Sequence, residues 1–148
     1  MSIHAEAAPS TPVTVRGLTE LLSPHAPAIL AAVRVVVALL FMEHGLMKLV
    51  GFPAPMPGLP HPLPPLFLAA GTIEVAAGSL ITLGLFTRPA AFIASGEMAV
   101  AYFMAHAPRG FFPALNQGEP AILFAFIFLY LAAAGGGSWS LDRTLRRR

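Results

Sequence analysis

The chain has 148 residues, of which 56% are hydrophobic and only 11% charged, against roughly 25% charged in an average soluble domain. Nine Lys/Arg and seven Asp/Glu are too few to cover the surface of a soluble fold, and the apolar content disfavours a disordered chain. Cysteine is absent, which excludes thiol–disulfide chemistry, thiolate zinc sites and cysteine-held iron–sulfur clusters within this chain. What remains is an integral membrane protein, with the lipid bilayer as its first partner.

Residues 1–27 are polar enough to lie outside the bilayer. They lack an apolar core followed by a small-residue cleavage site, so no signal peptide is expected. Val15, Leu18, Leu21 and Leu22 fall at helical spacing and suit either a short helix lying on the membrane surface or an unstructured tail.

Four apolar segments follow, at about 28–50, 64–86, 89–106 and 119–135. A spanning helix needs about 20 mostly apolar residues, within about 17–25, and the last two segments are at the short end. In the second, ten Leu, Ile, Val or Phe contribute roughly −3 to −6 kcal/mol to insertion, against roughly +3 for Glu74. Pro64 and Pro65, Pro89, and Pro120 open the last three helices, because a first-turn proline gives up an N–H that has no intrahelical partner. Gly135-Gly136-Gly137 closes the fourth. The proline-rich stretch 51–65 reads as a stiff extended loop, residues 107–118 as a second loop, and Thr87-Arg88 as a tight turn. The expected fold is therefore all-α: a four-transmembrane-helix bundle over residues 28–137, preceded by a polar segment and followed by a basic tail over residues 138–148.

Four of the nine cations lie in the last six residues, at Arg143, Arg146, Arg147 and Arg148. No basic patch interleaved with aromatics accompanies them, so no nucleic acid is expected as a partner. Arg16, Arg88 and the tail arginines share one side of a four-span bundle, and Lys48 and Arg109 lie on the other. The positive-inside rule then places both termini in the cytoplasm of a plasma (inner) membrane protein.

Charged side chains in hydrocarbon normally face the bundle interior and are functional candidates. Here they are Arg34, Glu43, His44 and Lys48 on the first helix, Glu74 on the second and Glu97 on the third. Tyr102, His106 and Glu119 lie toward the outer ends. At about 1.5 Å per residue, Arg34 and Glu97 are roughly 9 and 12 Å from the cytoplasmic side, so their depths suit a register-fixing pair. At 100° per residue, Arg34, Phe41, Gly45 and Lys48 share a face, with His44 at its margin and Glu43 almost opposite. Gly71, Glu74, Gly78 and Thr82 share a face of the second helix that packs inward. Lys48 and Glu43 have the alternative of snorkelling outward. Glu119 has that of answering a helix dipole, and His106 that of being solvated.

These nine residues form the candidate ligand-binding set, with Glu74, His44 and Lys48 as candidates for a chemical role. No metal site is expected. The Glu-x-x-His pairs of di-iron bundles are absent, and His44 and His106 leave haem ligation geometrically open without a supporting motif.

Three stretches, taken in order, resemble one family. They are Arg34 with Phe41-Met42-Glu43-His44-Gly45 and Lys48; Glu74-x-x-x-Gly78 running on to Leu83-Gly84-Leu85-Phe86-Thr87-Arg88; and Asn116-x-Gly118-Glu119 with the closing Ser138-Trp139-Ser140-Leu141-Asp142. Over residues 30–142 the chain is similar to the DoxX family of small four-helix membrane proteins. The resemblance implies association with quinol oxidation, thiosulfate:quinone oxidoreduction or responses to quinones and thiol stress. It carries over no catalytic residues, and the absence of cysteine argues against a thiol relay within this chain. The expected function is a quinone- or quinol-linked redox component or a quinone-handling protein, with quinone as ligand or substrate and a redox-enzyme subunit as partner. A membrane scaffold anchoring such an enzyme through the arginine tail, or a proton-coupled small-solute carrier built as a homo-oligomer, are the alternatives.

Overall fold

The computed structural model describes residues 13–146. Expectations for the first twelve residues, for the side chains of Val15 and Arg16, and for Arg147 and Arg148 lie outside that range. The described residues are helical with no strand. The elements are α1 (Val13–Leu22), α2 (Ala26–Leu49), α3 (Pro65–Leu83), α4 (Thr87–Ala101), the short α5 (Pro113–Asn116), α6 (Glu119–Ala134) and α7 (Leu141–Leu145).

A 3-10 turn at Ser23–His25 joins α1 to α2, so helix runs without a break from Gly17 to Leu49. This helix and α3 are long and apolar enough to cross a membrane, whereas α6 has 16 residues. Only 22% and 28% of the two long apolar windows are buried. A core helix of a soluble protein would be mostly covered. Here Val36, Leu40, Leu68, Phe92, Ile93 and Phe126 point outward, as a lipid-facing surface requires.

Helix α2 packs mainly on α3, α4 mainly on α6, and α3 on α4. Small residues make the contacts close: Ala38, Ala77, Ala90, Ala91 and Ala94 are buried around Phe41, Ile81, Met98, Phe128 and Leu131. The Phe41 ring meets that of Phe128 edge-on at 4.7 Å, which ties α2 to α6. At Gly45 a Cβ would lie 2.8 Å from the Gly71 carbonyl oxygen. The α2–α3 approach therefore depends on glycine there, as in other membrane helix pairs.

The turn between α3 and α4 falls at Gly84–Phe86, with Thr87 and Arg88 already in α4, a shift from the expected Thr87-Arg88. Gly84 caps α3 in the left-handed conformation, φ +68°, and Pro89 stands in the first turn of α4, where proline is tolerated. Residues 51–64 contain no regular helix, as their prolines dictate. The chain from Ser138 to Asp142 folds back onto the bundle: the Ser138 amide donates to Pro27 O at 3.0 Å and the Asp142 amide to Gly84 O at 2.9 Å.

Candidate functional site

Buried Ala31, Arg34, Ala38, Phe41 and Gly45 form the inward stripe of α2, and Gly71, Glu74, Ala77, Gly78 and Ile81 that of α3. The two stripes face each other and carry the charges with them.

Lys48, one turn beyond Gly45, turns inward rather than snorkelling. Its Nζ donates to both oxygens of Glu74, at 2.7 and 2.6 Å, with side-chain exposures of 10% and 2%. Glu74 is thus not alone in the membrane: the pair cancels its own charge. Glu97 of α4 interacts electrostatically with both Glu74 and Lys48. Its Oε2 is buried without a hydrogen-bond partner.

His44 also lies within electrostatic reach of Glu74. Its Nδ1 is 2.8 Å from Leu40 O, and its ring stands edge-on to Phe124 with centroids 5.8 Å apart. A carbonyl can only accept, so Nδ1 carries a proton and Nε2 is left for another partner. Three helices thus bring Lys48, Glu74, Glu97 and His44 into one polar cluster within an apolar bundle.

Arg34 does not pair with Glu97. Its guanidinium donates to the carbonyls of Ile81, of Thr82 at 2.8 Å and of Trp139 at 2.5 Å. These carbonyls belong to the C-terminal turn of α3, where the Ile81 oxygen also accepts from the Gly84 amide, and to the returning chain. Arg34 is fully buried and serves as a clasp at the opposite end of α2 from the cluster. Glu43 is half-buried and forms no ion pair among the described residues.

Tyr102 and His106 form a second group. A π-helical turn over Tyr102–His106 continues α4, and the two rings stack with centroids 6.4 Å apart. π-turns of this kind often mark functional positions. Nδ1 of His106 is 3.1 Å from Asn116 O, so His106 is a bonded, half-buried group rather than a freely solvated one. Asn116 is 2% exposed. It donates through Nδ2 to Gly110 O and accepts from the Gly118 amide, both at 2.8 Å, and so fixes the loop that delivers α6. Glu119, exposed, is the first residue of α6, where a carboxylate answers the helix dipole.

Asp142, in the sequence only part of a motif, fastens the chain here. Its carboxylate accepts from the Phe86 amide at 2.8 Å and the Thr87 amide at 2.9 Å. That capping holds Phe86 in its left-handed conformation, φ +48°, which costs a non-glycine residue roughly 1–2 kcal/mol. Partial burial pushes the Asp142 carboxyl upward, but the Thr87 and Phe86 hydrogen bonds and the nearby Arg146 outweigh it and hold the group below its ordinary value. The signal in sequence was an acidic residue shortly after a glycine-ended helix, and it named no partner 55 residues away.

Among the described residues no group of His, Asp and Glu is arranged to hold a metal ion. The DoxX family model matches residues 29–107, the stretch that holds both inward stripes and the whole polar cluster. The chain belongs to the DoxX family. It is 46% identical over 125 residues to an uncharacterized protein of Haemophilus influenzae, covering 82% of this chain and 93% of that one. It is 33% identical over 126 residues to the inner membrane protein YphA of Escherichia coli, covering 79% and 90%. It is also 29% identical to an uncharacterized membrane protein of Mycobacterium tuberculosis, covering 100% and 96%. No solved structure matches. The DoxX chain is accordingly a membrane protein, and its polar cluster lies within the family-defining region.

Proposed function

We propose that this DoxX protein is a four-span protein of the inner membrane, with both termini in the cytoplasm, that handles quinone or quinol as part of a redox system. The observation that carries the reading is the cluster itself: a self-neutralising Lys48–Glu74 pair, beside an unpartnered Glu97 oxygen and a histidine whose Nδ1 is engaged. A quinone head group needs hydrogen-bonding groups at its oxygens and a path for protons, in surroundings otherwise suited to its apolar body. Nε2 of His44 accepts from a quinol hydroxyl, and Glu97 is the next proton-exchanging group. Two electrons and two protons leave each quinol. The electrons pass to a partner redox subunit, while this chain binds the head group and takes the protons.

Protein reconstituted in nanodiscs and titrated with short-chain ubiquinone and menaquinone analogues should show saturable thermal stabilisation. The effect should weaken in His44→Ala and Glu97→Gln, neither of which breaks the ion pair. A flat titration of the wild type, with unchanged quinone tolerance in a deletion strain, would overturn the reading.

A further inference from the structure

At the end of the bundle away from the cluster, a cleft of about 660 Å³ opens between the start of α2, the start of α4 and the end of α6. Arg88, Arg143 and Arg146 line it, with Asp142 as the acidic member, for a local net charge of +2 (three cations less one anion). Both Asp142 oxygens are already bonded to the Phe86 and Thr87 amides, and Arg88 also donates to Ala132, Ala133 and Ala134 carbonyls at the end of α6. Arg143 and Arg146 are exposed, and among the described residues neither guanidinium makes a hydrogen bond, Arg146 lying in electrostatic reach of Asp142.

A second, apolar groove adjoins this cleft. Ala26, Leu30 and Tyr130 belong to both. The groove is walled by Leu18 and Leu22 of α1 and by Ile29 and Val33 of α2. Along the continuous helix it extends about 10 Å inward from Ala26 to Val33 and about 12 Å the other way to Leu18. A cationic cleft continuous with an apolar trough along the helix has the polarity profile of a single amphiphile.

We infer that the joined cleft and groove hold one anionic phospholipid, its phosphate among Arg88, Arg143 and Arg146 and an acyl chain along the continuous α1–α2 helix beside Tyr130. Arginines at the cytoplasmic membrane surface attract anionic headgroups, and here the open apolar groove beside them offers an acyl chain a seat that a free phosphate would not use. The site is independent of the quinone reading.

Native mass spectrometry of delipidated protein, titrated with dioleoyl phosphatidylglycerol or dioleoyl phosphatidylcholine, tests it. One phosphatidylglycerol should be retained at about tenfold lower concentration than phosphatidylcholine. The Arg143→Gln/Arg146→Gln variant should lose that preference, and Val33→Trp, which fills the groove, should weaken phosphatidylglycerol retention. Equal retention of the two lipids, or a preference that survives the double arginine variant, overturns the site. Displacement of the lipid by glycerol 3-phosphate at comparable concentration overturns the lipid assignment and makes it a soluble-phosphate site.

Discussion

Lys48 and Glu74 are in a position that neither would tolerate alone. Two hydrogen bonds under 3 Å join them, and Glu74 is 1% exposed. Removing one partner of such a pair strands a charge, which typically costs about 3–5 kcal/mol, whereas replacing both by apolar groups is often neutral. Lys48→Met should therefore lower the melting temperature of detergent-purified protein markedly, and Lys48→Met/Glu74→Met should restore most of the loss. Additive losses in the double variant would mean that the two side chains act separately. Facing stripes on α2 and α3 were legible from angular spacing, and that spacing put Lys48 and Glu74 on them. The partner of Arg34 was not. Matching depths suggested Glu97, but depth along an axis says nothing of carbonyls at a helix end, and a buried guanidinium takes those as readily as a carboxylate.

The elements themselves were readable because proline and glycine punctuate them. The four apolar segments became α2, α3, α4 with its π-turn, and α6, with ends displaced by only a few residues. What the pattern could not show is how the chain after α6 is fastened. Residues 138–142 read as the root of a basic tail, yet they bond to Pro27, Gly84, Phe86 and Thr87, contacts that span more than 50 residues. Asp142 gives this fastening a pH signature. Its carboxyl titrates below the ordinary value of 3.8 when folded. The unfolded chain therefore takes up that proton first as pH falls, and the folded state gains stability only where the group is ionised. The contribution is present above 3.8 and disappears as pH drops through the lowered folded value. Asp142→Asn should melt below wild type at neutral pH, and the gap should close at acid pH. A gap that stays constant across the acid range would show that the carboxylate charge is not what fastens the segment.

For the whole molecule the question is how many helices cross the bilayer. Helix α6 spans about 24 Å by its rise, short of a hydrocarbon core of about 30 Å, and α4 depends on its π-turn to reach as far as His106. The proposed four crossings would divide the cations unevenly. Arg88, Arg143 and Arg146 gather at one end, and Glu74 draws Lys48 inward, so Arg109 is the exposed cation at the other end among the described residues. Because the chain contains no cysteine, single introduced thiols report without background. Leu115, in the short α5 before α6, is 82% exposed, and Leu145, in α7, is 59% exposed. With four spans and cytoplasmic termini, Leu115→Cys should react with a membrane-impermeant maleimide in cells whose outer membrane has been permeabilised. Leu145→Cys should react only after lysis. If α4 and α6 lie on the membrane without crossing it, both thiols share the cytoplasmic side and neither reacts before lysis. Labelling of Leu145→Cys in unlysed cells would instead invert the orientation that the arginines imply.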